Sequence, residues 1–117
     1  MPQVLIVDDD LVNRKLARAI LERVGWEAVE CDNGESALDC FRHQPFDAVL
    51  LDIGLPGMDG RQVCLELGRL QQGPLRIVGY TASVLAEEME SLVHNGFDDV
   101  LQKPVSIAAV QAAFAAP

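Results

Sequence analysis

The sequence is short of positive charge, of aromatic rings and of long apolar runs. Nine Lys and Arg stand against eighteen Asp and Glu, a formal net charge of −9. That balance argues against a nucleic-acid or anionic-membrane surface and suits cations or basic partner patches. No apolar run approaches the roughly 18 residues of a membrane span, and the N-terminus has no basic stretch leading into an apolar one. The expectation is a cytoplasmic protein with no membrane insertion and no direct contact with nucleic acid. Cysteine is scarce too: Cys31, Cys40 and Cys64 are odd in number and form no CxxC pair. Neither a disulfide framework nor a zinc site is suggested, and the three read as reduced thiols used as small apolar residues. What remains is a half-hydrophobic chain of 117 residues, long enough for one globular domain, 1–117, with a core of its own.

Strand-length apolar runs occur at Val4 to Val7, Ala48 to Leu51 and Leu75 to Tyr80, with weaker ones at Trp26 to Cys31 and Asp99 to Gln102. Helical spacing fills the gaps. Val12, Leu16, Ala17, Ile20, Leu21 and Val24 recur at three and four residues and stop at Gly25. Similar patterns predict helices over Glu35 to His43, Arg61 to Leu70, Leu85 to Asn95 and, after Ser106 as N-cap, to about Ala115. Five strands alternating with five helices imply βα units, a parallel sheet and helices on both faces. Near-continuous apolar strands are what a doubly covered sheet requires.

In open α/β sheets, ligands bind at the carboxyl ends of the strands. There the sequence places Asp8 and Asp9 after strand one, Asp52 at strand three, Thr81 at strand four and Lys103-Pro104 after strand five. Two carboxylates a few ångströms apart repel by about 4 kcal/mol at an effective dielectric near 20, so a cation belongs among them. Oxygen-only ligands point to Mg²⁺, which takes one or two carboxylates plus phosphate oxygens and keeps several waters. Lys103 offers a second positive charge to a phosphoryl oxygen, and Thr81 a hydroxyl. A carboxylate beside Mg²⁺ can itself attack phosphorus, with metal and lysine neutralising the transferring group. Asp52, alone at the end of "AVLLD", is the candidate nucleophile.

Singly, each signal has a plainer reading. An acid at a strand end can simply open the next helix, and Asp10 fits that role better than its neighbours. Thr81 alone is a β-branched strand residue, and Lys103 alone a solvated one. Asp98 and Asp99 read as a polar turn, His43 and His94 as surface residues, and "GLPGMDG" as a Gly/Pro turn. The weight lies in four segments delivering compatible groups to one edge.

Taken together, "VLIVDDD", "AVLLDIGLPGMDG", "VGYTAS" and "GFDDVLQKPV" resemble the receiver domain of two-component response regulators over essentially the whole chain. The texture of "VNRKLARAIL" and "TASVLAEEMESLVHNGFDDVLQKP" is most similar to receivers of hybrid sensor kinases and phosphorelays. The resemblance implies a flavodoxin-like (βα)5 fold, a three-layer sandwich around a five-stranded parallel sheet in the order 2-1-3-4-5. It implies that Asp52 accepts a phosphoryl group from a phosphohistidine of a histidine kinase or histidine phosphotransfer protein, and that the resulting switch controls an output domain or protein. Asp9, Asp52 and the Gly54 backbone carbonyl would coordinate Mg²⁺, with Asp8 acting through water. Thr81 would move toward the phosphoryl group, Lys103 would pair with it, and the Lys103-Pro104 bond would be cis. Such a domain catalyses only its own phosphorylation and dephosphorylation.

Two positions depart from the pattern. Three residues before Lys103, where the family usually has Tyr or Phe, this chain has Val100, which has no ring to swing inward. Two residues after Asp52 it has Gly54, which cannot shield phosphorus from water, so a short-lived phosphoryl group is expected. Other readings survive at this point. A degenerate receiver would bind partners without being phosphorylated. A haloacid-dehalogenase-like Mg²⁺ phosphatase would use Asp8 and Asp10 as its DxD pair, and a flavodoxin-type protein would need a phosphate loop where this chain has carboxylates.

Overall fold

The computed structural model describes residues 2–55, 57–82, 91, 92 and 94–114. Its elements are β1 (Gln3–Val7), α1 (Leu11–Arg23), β2 (Glu27–Cys31), α2 (Gly34–His43), β3 (Ala48–Asp52), α3 (Gly60–Leu70), β4 (Arg76–Thr81), β5 (Asp99–Gln102) and α4 (Ile107–Ala113). The strands pair in parallel, as the βα alternation implies, and in the order β2-β1-β3-β4-β5 that the family resemblance implies. The expected helix over Leu85 to Asn95 lies largely outside the described residues. Ser91, Leu92 and His94 are helical, and Gly96 follows at φ +100°.

Each strand divides its side chains between two cores with period two. Val4, Ile6, Leu50, Val78 and Tyr80 face Ala17, Ile20 and Leu21 of α1 and Val110 of α4. Leu5, Val7, Val49, Leu51 and Ile77 face Ala37 and Leu38 of α2 and Val63 and Leu67 of α3. With both faces covered, β3 is buried at all five positions. Trp26 closes the first core edge-on against Phe114, 5.6 Å between centroids. The thiols behave as expected: Cys31 and Cys64 are buried, Cys40 partly so, and all are free. Burial pushes Cys31 up to about 12 and Cys64 up to about 11. Cys31 and Cys40 are nevertheless neighbours, their sulfurs 3.5 Å apart, a pairing across β2 and α2 that the sequence spacing does not suggest.

Helix starts follow from local chemistry. Asp10, Asn33, Asp59 and Ser106 cap α1, α2, α3 and α4, their side-chain oxygens accepting from N–H groups of the first turn. Gly60 is required for a different reason. A Cβ there would stand 2.6 Å from the Asp52 carbonyl oxygen and from Ile53 Cα, so only glycine lets α3 start against the end of β3.

Candidate functional site

The register brings the site together. Val7 lies beside Leu51, Asp52 beside Tyr80, and Thr81 beside Gln102. One further step along β1 and β5 reaches Asp8 and Lys103. By alternation Asp8, Asp52, Tyr80 and Lys103 share the face of the α1 core, because Ile6, Leu50, Val78 and Leu101 do.

Lys103 sits between two buried carboxylates, its Nζ 3.1 Å from Asp52 Oδ2 and 3.3 Å from Asp8 Oδ2. Asp8 has no exposed surface and Asp52 only 5%. Oxygens of Asp8, Asp9 and Asp52 all lie within 4.8 Å of one another, with Asp9 on the solvent side. Three carboxylates against one lysine leave the cluster two charges negative; Asp9 is solvated, but the buried pair still exceeds Lys103 by one charge, which is costly without a further cation. The donor set is all oxygen and partly open, which fits a hard divalent ion.

The two buried acids differ in support. Asp8 accepts from the Asp10 N–H at 2.9 Å and from the Tyr80 hydroxyl. Burial pushes its carboxyl up, but the Tyr80 and Asp10 bonds and the Lys103 charge outweigh it, and the net direction is down. For Asp52 burial prevails and the direction is up, despite the Gly54 N–H at 2.9 Å and Lys103. Lys103 is disfavoured by burial yet held above its ordinary range by the Asp52 bond and by both carboxylates. The site thus holds a charged lysine beside one firmly ionised acid and one that gains from a cation.

Of the sequence-predicted residues, Asp8, Asp9, Asp52 and Lys103 converge and Gly54 lies against Asp52. Thr81 ends β4 half-buried and makes no side-chain hydrogen bond with Asp8, Asp52 or Lys103. Its backbone carbonyl accepts from the Lys103 N–H at 2.8 Å, leading into a cis Lys103-Pro104 bond. Asp10 is turned away: its Oδ1 accepts from Val12 and Asn13 N–H at 2.9 and 3.2 Å. That placement removes the DxD pair which a dehalogenase-type phosphatase needs. Val100 is 9% exposed and belongs to the α2–α3 core. Two contributors escape sequence reading. Arg14 donates to the Asp8 carbonyl at 2.9 Å, with no local signal to reveal it. Tyr80 reads as the end of an apolar run, and only its even spacing from Val78 combined with the strand register would have aimed it at Asp8.

Residues 4–115 match the response regulator receiver domain family. The chain is 40% identical over 109 residues to the sensor histidine kinase GacS of Pseudomonas protegens, covering 90% of this chain and 12% of that protein. It is 37% identical over 105 residues to the histidine-protein kinase BarA of Escherichia coli, covering 87% of this chain and 11% of that protein. Among solved structures, the receiver domain of the sensor histidine kinase PA1611 from Pseudomonas aeruginosa superposes with a TM-score of 0.79 at 28% identity, covering 95% of this chain and 92% of that one. That structure carries a magnesium ion in its active-site cleft. The chain therefore belongs to the response regulator receiver family, and it is a receiver module homologous to those of phosphorelay signalling. It spans about an eighth of the kinases it matches.

Proposed function

We propose that Asp52 is the phosphoacceptor of this receiver, taking a phosphoryl group from a phosphohistidine of a histidine kinase or histidine phosphotransfer protein. The observation that carries it is the bridging position of Lys103 between Asp52 and Asp8, within a cluster of three carboxylates. Asp8, Asp9, Asp52 and the Gly54 carbonyl would hold Mg²⁺. The ion, when bound, supplies charge neutralisation to the transferring group. Asp52 attacks phosphorus through its carboxylate, the histidine nitrogen leaves, and an aspartyl phosphate forms. Lys103, already beside Asp52, pairs with a phosphoryl oxygen without having to be imported. Thr81, at the end of β4 and free of bonds to the acids, turns its hydroxyl to the same group. The residues perform only this self-modification and its reversal, and the output belongs to a partner or a further domain. The sensor-kinase relatives support a phosphotransfer protein as partner.

Treatment with acetyl phosphate and Mg²⁺, followed by intact-mass measurement, tests the assignment. Wild type and Asp8→Asn should differ in extent of labelling, whereas Asp52→Asn should carry no phosphoryl adduct. Label retained in Asp52→Asn, or none in the wild type with either acetyl phosphate or a phosphorylated histidine donor, would overturn it.

A further inference from the structure

Tyr80 is the single tyrosine of the chain and is 1% exposed. Its ring lies in the core beneath α1 and α4, but its two polar contacts belong to the acidic edge. The hydroxyl donates to Asp8 Oδ2, and Lys103 Nζ lies 4.7 Å from the ring centroid. A buried phenol left without a partner is costly, so this hydrogen bond ties the ring's position to that of the carboxylate. The electron-rich ring face in turn favours the ammonium where it stands, between Asp8 and Asp52.

We propose that Tyr80 is a positioning residue of the cation site, its hydroxyl holding Asp8 and its ring seating Lys103. The proposal rests on the receiver reading above. Both oxygens of Asp8 are directed by neutral donors, Oδ1 by the Asp10 N–H and Oδ2 by Tyr80. A neutral donor orients a carboxylate without cancelling its charge, so the charge stays available to a divalent ion. Lys103, 3.3 Å from the same Oδ2, is the competing partner. Without the hydroxyl, nothing opposes a closer Asp8–Lys103 ion pair, and more of the Asp8 charge is spent on the ammonium. Partners that orient metal-binding side chains from behind characteristically govern affinity by 10- to 100-fold.

Tyr80→Phe keeps the ring and removes only the donor. In Mg²⁺ titrations followed by calorimetry it should bind about 10-fold more weakly than wild type. In the Asp8→Ala background, the same change should cost less than about twofold, because the two residues act as one unit. The single tyrosine gives a second reading. Mg²⁺ should shift the near-ultraviolet absorption of the wild type, while Trp26, at the opposite ends of the strands, stays constant. If Tyr80→Phe does not fold, the wild-type tyrosine spectrum against that of Asp8→Ala decides, and the two must differ. Equal Mg²⁺ affinity in wild type and folded Tyr80→Phe, an undiminished loss in the Asp8→Ala background, or a tyrosine indifferent to Mg²⁺ would overturn the proposal alone. A wild type that binds no Mg²⁺ would overturn the receiver reading and this one with it.

Discussion

Asp8, Asp9 and Asp10 are chain neighbours in three environments. Asp8 is sealed beneath Tyr80 and Lys103, Asp9 faces solvent at the rim of the carboxylate cluster, and Asp10 is occupied by two N–H groups of α1. The change of environment within three residues follows from a strand handing over to a capped helix. Gly54 is the other position where one side chain decides the outcome. A Cβ there would stand 3.7 Å from Asp52 Oδ1, an ordinary contact, and Gly54 does not have a positive φ. Gly54→Asn therefore fits without strain and places a side chain beside the Asp52 carboxylate. Its aspartyl phosphate should outlast the wild type's severalfold when label loss is followed over time. Unchanged decay would show that water does not reach phosphorus from that side.

At the scale of elements, the edge strand β2 is fastened to α1 by one carboxylate. Glu30 meets Arg14 Nε at 2.9 Å, Lys15 Nζ at 2.8 Å and Arg18 Nη1 at 2.7 Å. Burial pushes Glu30 up, but the three cations more than offset it, bringing it from its ordinary 4.5 to about 2. A carboxyl whose folded value is depressed stabilises the fold fully above its ordinary value and loses that contribution as pH falls. Urea unfolding of the wild type should therefore weaken between pH 4.5 and about 2, and Glu30→Gln should flatten that fall. At neutral pH the variant should cost about 1–2 kcal/mol, most of it from Arg14, since Lys15 and Arg18 are substantially exposed and screened. Matching pH slopes in the two proteins would remove Glu30 as the origin. Arg14 also holds the Asp8 carbonyl, so this fastening bears on the site as well as on the edge.

For the molecule as a whole, the site is a stability deficit that a bound cation would remove. Asp52 has its carboxyl raised by burial, so its charge destabilises the fold once pH exceeds the ordinary carboxylate value of 3.8. Replacing it with Asn should raise metal-free stability, because the cost of burying the Asp52 charge exceeds the lost attraction to Lys103. Mg²⁺ at one hundred times its Kd should stabilise the wild type by roughly 2.7 kcal/mol, and chelation should reverse the gain. Asp52→Asn should lose most of that response. Denaturant curves with Mg²⁺ and with chelator measure both effects, and an unstabilised metal-free Asp52→Asn would contradict the raised carboxyl.

The sequence by itself determined the alternation of strands and helices, the strand ends on which Asp8, Asp9, Asp52, Thr81 and Lys103 fall, and the capping role of Asp10. These depend on period and on neighbours within a few residues, which any window of the chain contains. The tertiary structure alone decided that Tyr80 reaches Asp8, that three cations of α1 close on Glu30, and that Cys31 meets Cys40. Each joins residues 9 to 72 apart in the chain. Such pairings depend on strand register and on which helix covers which face, and those are settled by packing two cores against one sheet.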